Sequence, residues 1–127
     1  MRRLALFLLT FCLAAAGAAA PLSPAARTEI DGLMSRLATS GCEFNRNGTW
    51  YGAAEAKSHL LGKLKYLEDR GAVQSADQFI ELAASGSSMS GEAYLVRCGS
   101  EAPVRSSTWL RARLQEMRSA GRAKGAP

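Results

Sequence analysis

Ile30, Leu33, Met34 and Leu37 recur at i, i+3, i+4 and i+7, which puts four apolar side chains on one face of a helix. Ser23 and Pro24 supply an N-cap and a first-turn proline, and Gly41 closes the pattern, so a first helix is predicted between them. Cys42-Glu43-Phe44 and Thr49-Trp50-Tyr51 flank Asn45-Arg46-Asn47-Gly48, where Asn-Gly suits the positive φ angles of a tight turn. A short hairpin, or an extended segment and loop, is expected there. Ala53, Ala56, Leu60, Leu64 and Leu67 then restore helical spacing up to Gly71, for a second helix over about Ala53 to Arg70.

Ser75 and Gln78 have the spacing of a capping box, and Phe79, Ile80, Leu82 and Ala83 predict a short apolar third helix behind it. The Gly/Ser run from Ser85 to Gly91 breaks that helix. Tyr94, Leu95 and Val96 read as a strand leading into Cys98, and residues 99–103 as a loop. A fourth helix starting near Ser106 or Ser107 turns Trp109, Leu110, Leu114 and Met117 inward and Arg111, Arg113 and Arg118 outward. The expected fold is mainly α with a small β element (α+β): four helices plus a hairpin or a two-to-three-stranded sheet.

The N-terminus belongs to a different pattern. Arg2 and Arg3 precede an apolar run from Leu4 to Leu13 and a small-residue stretch from Ala14 to Ala20, the layout of a secretory signal peptide. The run is too short to span a bilayer before Pro21 and Pro24 end it. Pro21 disfavours cleavage after Ala20, so cleavage is expected after Ala18 or Ala19; Phe11 before Cys12 argues against a lipidated cysteine. The expected organisation is a signal peptide at 1–19, one globular domain at 22–120 and a flexible basic tail at 121–127. With 127 residues, 47% hydrophobic and 21% charged, there is room for one core and no case for disorder.

Export changes how the cysteines read. Cys12 leaves with the signal, and Cys42 and Cys98 remain as an even pair in an oxidising compartment, which favours one disulfide. The alternatives are a redox pair or metal ligands; there is no CxxC spacing, and one histidine does not complete a usual zinc set with two thiols. No metal or cofactor is expected. Charge is also uneven: from Arg27 to Glu101 there are 8 basic and 10 acidic residues, while from Arg105 to Lys124 six basic residues face Glu116 alone. The fourth helix therefore offers a basic surface, Arg111, Arg113 and Arg118, to an acidic protein or anionic membrane. The competing reading is a solvated, solubilising face. Nucleic acid is not an expected partner of an exported chain.

Two constellations carry candidate chemistry. Glu55, His59 and Lys63 lie four apart on the second helix and form one polar stripe, where a carboxylate beside an imidazole is the usual start of acid/base chemistry. An ordinary i, i+4 chain explains the same spacing, and no G-x-S-x-G elbow surrounds the serines. The Gly/Ser run presents amides and hydroxyls able to cradle an anion, with Arg46 or Lys63 in reach if the hairpin folds over, although it lacks a P-loop's Gly-Lys-Ser/Thr ending. Arg46, Asn47, Glu55, His59, Lys63, Ser87 and Ser88 are thus the candidate binding residues, with no catalytic residue assigned. The aromatic residues read as core.

FNRNG (44–48), EAKSHL with GKL (55–60, 62–64), ADQFIELAASGSSMSG (76–91), EAYLV (92–96) and TWL (108–110) occur in that order. Together they resemble the YfeK-like family of small exported bacterial proteins, a domain of unknown function, over about Ile30 to Leu114. The resemblance implies a periplasmic protein of Gram-negative bacteria and no known activity. Cys42, Cys98 and the basic C-terminal extension depart from the family's pattern. The expected function is a periplasmic binding or interaction module. The alternatives are a small hydrolase-like enzyme using His59, and a structural or envelope-stress accessory protein.

Overall fold

The computed structural model describes residues 21–125. The expected signal peptide with Cys12, and the last two residues of the chain, lie outside the described residues. The elements follow in the order α1 (Pro24–Thr39), β1 (Glu43–Arg46), β2 (Thr49–Tyr51), α2 (Ala53–Asp69), α3 (Ala76–Ala83), β3 (Leu95–Arg97), β4 (Val104–Arg105) and α4 (Ser106–Gly125). The fold is α+β.

Local chemistry explains most of the boundaries. Ser23 Oγ accepts the Ala26 amide at 3.1 Å to start α1. Asn47 (φ 51) and Gly48 (φ 84) take the positive angles of the two-residue turn that sets Arg46 opposite Thr49. Gly71 (φ 62) closes α2, its amide reaching Glu68 O and that of Ala72 reaching Leu67 O, each at 2.9 Å. At α3 the capping box is only half made: Ser75 Oγ accepts from Gln78 N, but Gln78 Oε1 accepts from Gln74 N.

The sheet is larger than the expected two or three strands. It is antiparallel with four strands in the order β2-β1-β3-β4, because the chain after the 99–103 loop lays Val104 and Arg105 beside Val96 and Leu95. Two residues are too few for a period-2 pattern to register. Cys42 and Cys98 are joined by a disulfide. They abut the Glu43–Arg97 pair of the central strands β1 and β3 and so lock the middle of the sheet.

The core lies between the sheet and the helices, with Ile30, Leu33, Phe44, Leu60, Phe79, Ile80, Val96 and Leu110 buried. Leu82 is not in it. Ala76, Phe79, Ile80 and Ala83 form the buried stripe of α3, and Leu82, roughly 100° off that stripe at 3.6 residues per turn, is 45% exposed. Helix α4 continues to Gly125, where the sequence suggests a frayed tail from Gly121.

The basic face of α4 is also corrected. Arg118 is no free outward charge: Nε and one terminal nitrogen grip Glu29 at 2.7 and 2.9 Å, and the latter also reaches Asp77 at 2.9 Å. Arg113 stacks on Trp109, 5.0 Å from the ring, and pairs with Glu116. Arg111 alone of the three stands exposed without such a clasp. The reason is tertiary: α4 packs beside α1 and α3, whose acids meet it. Replacing Arg118 by Gln should lower stability by about 1 kcal/mol, a modest figure because the clasp is partly solvated, and high salt should shrink the difference. Urea unfolding at low and high salt checks it; an unchanged midpoint would mean the clasp is inert.

Candidate functional site

A cavity of about 810 Å³ opens where the β1–β2 turn, α2, the end of α3 and the loop after it meet. Arg46, Asn47, His59, Lys63, Ser87 and Ser88 all line it. Six of the seven sequence candidates therefore come together. Glu55 does not line it; exposed on α2, it borders a smaller adjoining recess with Arg46, Tyr51 and His59.

The Glu55-His59-Lys63 ladder is replaced by bonds across elements. Arg46 on β1 hydrogen-bonds His59 Nδ1. A guanidinium only donates, and the same terminal nitrogen also lies 3.2 Å from Nε2, so Arg46 faces both ring nitrogens. His59 Nε2 is also at hydrogen-bond distance, 3.1 Å, from Tyr94 Oη. Lys63 Nζ donates to the same phenol oxygen at 3.2 Å and to the Gly86 carbonyl at 3.0 Å. Tyr94 Oη thus joins His59 to Lys63.

Electrostatics agree with a neutral imidazole. Burial, then the charges of Arg46 and Lys63, hold the His59 pKa below its usual 6.5. Burial, with Arg46 adding to it, likewise lowers the Lys63 pKa. Burial raises that of Tyr94, which keeps the phenol protonated. No carboxylate lines the cavity, and among the described residues neither Arg46 nor Lys63 has an acidic partner at ion-pair distance. Arg46 rests over Tyr51 and Lys63 over Tyr94, each 5.0 Å from the ring, which orients the cations without neutralising them.

The serine loop is held by its own polar groups. Ser87 Oγ accepts from Asn47 Nδ2 and from the amides of Met89 and Ser90, while Asn47 Oδ1 accepts from Ser90 Oγ at 2.6 Å. Asn47 and Ser87 thus tie the hairpin turn to the loop and fix one wall. Gly86 permits the close approach: a Cβ there would stand 2.8 Å from the Glu92 carbonyl oxygen. Ser88 stays exposed at the rim. Among the described residues the hydrogen bonds of His59 run to Arg46 and Tyr94 and those of Ser87 to Asn47 and the loop, so no serine–histidine pair of the kind a hydrolase uses is formed.

Sequence reasoning passed over Tyr94 as a core aromatic. Its ring is indeed buried against Phe44, but its hydroxyl links His59 and Lys63. A tyrosine whose strand neighbours are apolar needs a partner for its buried tip, and that was the available signal. Tyr66, Leu67, Leu82 and Met89, also in the lining, carried none.

Because folded His59 resists protonation and unfolded His59 takes a proton near 6.5, the fold should weaken as pH falls from above that value through the lowered one. Comparing urea midpoints at pH 7.5 and 5.5 for wild type and His59→Gln checks the sign. Wild type should lose more, and equal losses would contradict a suppressed imidazole.

Fold and cavity together define a small α+β domain that carries a cationic, partly apolar recess inside a disulfide-closed loop. The chain belongs to the family described as Family of unknown function (DUF5329), which matches residues 24–118. The match gives the YfeK-like naming no support. No curated protein and no solved structure matches the chain.

Proposed function

We propose that the chain is a periplasmic binding module whose cavity holds an organic anion between Lys63 and Arg46. The observation that carries the reading is the pair of unneutralised cations in a partly buried cavity with no carboxylate in its lining. Burying charge without a counter-charge costs stability, and an anionic ligand supplies the missing partner. Lys63 has three donor hydrogens and spends two on Gly86 and Tyr94, so one remains for the ligand, beside the guanidinium of Arg46. The periplasmic location rests on the signal-peptide pattern of the first twenty residues, on the compartment in which a disulfide persists, and on the YfeK-like resemblance.

Calorimetric titration of the mature protein with octanoate and octanamide, at pH 7 and low salt, tests the charge requirement. Octanoate should bind and octanamide at least about tenfold more weakly, since one charge-assisted hydrogen bond is worth that much. Lys63→Gln and Arg46→Gln should each erase most of the difference. Equal binding of the acid and the amide by wild type would overturn the anion reading.

A further inference from the structure

We infer that the ligand is a single-chain amphiphile, an anionic head at Lys63 and Arg46 followed by an unbranched apolar tail along Leu67, Leu82 and Met89. The inference rests on the anion reading above and adds the tail. Size is the first reason. A cavity of about 810 Å³ falls in the range that encloses a whole organic ligand, and an inorganic anion or acetate would occupy one corner of it.

Segregation is the second. The donors form one hydrogen-bonded knot, Arg46–His59–Tyr94–Lys63. One turn further along α2, roughly 6 Å at 1.5 Å per residue, the lining becomes Tyr66 and Leu67. Leu82 at the end of α3 and Met89 in the following loop also line the cavity. Along α2 the lining thus passes from Lys63 to Leu67 within one turn, from charged to apolar as an amphiphile does along its length. Leucine side chains carry no hydrogen-bonding group, and a thioether, at most a weak acceptor, adapts to a flexible chain.

Exposure is the third reason, and it is independent of charge. The exposed large hydrophobic residues among those described are Tyr66 (57%), Leu82 (45%), Met89 (98%) and Val104 (42%), and the first three border this one cavity. Apolar side chains gathered at a cavity mouth mark a surface that something apolar covers. Arg70 stacks on Tyr66, 3.5 Å above the ring, which holds that aromatic wall in place.

The test is a series of straight-chain carboxylates, acetate, hexanoate, octanoate and decanoate, titrated below their micelle concentrations, with decanol and an acetylated tri-leucine bearing a free carboxylate as further probes. Kd should fall about threefold to fourfold per methylene until the tail fills the groove. Leu82→Gln and Met89→Gln, both at exposed positions and so without consequence for the core, should weaken decanoate several-fold and leave hexanoate nearly unchanged. Carboxylates that bind with no dependence on length would overturn the tail and leave the anion site standing. Decanol binding as tightly as decanoate would overturn the anion reading itself. A tri-leucine that outcompetes decanoate would overturn the acyl tail in favour of a peptide terminus.

Discussion

Replacing Cys42 and Cys98 together by alanine should lower the stability of the folded domain by about 4 kcal/mol, as the chain-entropy relation gives for a closed loop of this length. For a domain with a total of roughly 5–15 kcal/mol, that corresponds to a drop in Tm on the order of 20 °C. The bridge also matters to the site. Arg46 to Tyr94, the first and last residues of the cavity lining, both lie between the two cysteines, and the bridge ties together the central strands that carry Arg46 and follow Tyr94. Losing it should therefore weaken ligand binding as well as stability. Thermal unfolding with and without reductant measures the first effect and titration of the reduced protein the second. A shift of less than a few degrees would mean that the packed core alone holds the sheet in register.

The second large effect separates function from stability at one residue. Lys63→Met should cost at least about tenfold in affinity for an organic anion, the worth of a charge-assisted hydrogen bond, while the free protein becomes no less stable. The stem of lysine and the side chain of methionine fill similar space, and the charged end is what burial and Arg46 make costly. The sign follows from linkage. A lysine with a lowered folded pKa disfavours the charged form in the fold, so that cost stands at neutral pH and is relieved as pH rises through the lowered value. Against it weigh the charge-assisted hydrogen bonds to Gly86 and Tyr94, about 1.5 kcal/mol each at a partly solvated site, which the desolvation of the ammonium and the apolar contact of methionine offset. Urea unfolding of the variant should give a midpoint equal to or above wild type. A loss of more than about 1 kcal/mol, on the scale of one net hydrogen bond, would make Lys63 a structural residue and remove the argument from buried charge.

Much of the architecture was open to reading because its causes are local. Ser23 and Ser75 begin helices through their own hydroxyls, Asn47-Gly48 turns through its own φ angles, and Gly71 closes α2 by itself. The polar half of the cavity was also foreseeable, since Arg46, His59, Lys63 and the serine loop sit on elements whose ends must meet in a domain this small. What escaped depends on neighbours remote in sequence. Arg118 looks outward on a helical wheel, and only the packing of α4 brings Glu29 and Asp77 to it. Val104 and Arg105 become a strand only because β3 offers an edge. Tyr94 and Leu82 misled in opposite directions: one is core with a working polar tip, the other an apolar residue that the core leaves out.

The most direct measurement uses His59, the chain's one histidine, whose imidazole signal in an NMR pH titration belongs to this cavity and nowhere else. In the free protein its pKa should lie below 6.5. Saturation with decanoate should raise it, because an anion between Arg46 and Lys63 offsets the two charges that now oppose protonation. An imidazole pKa that stays the same in the bound and free protein would contradict an anion seated in this cavity.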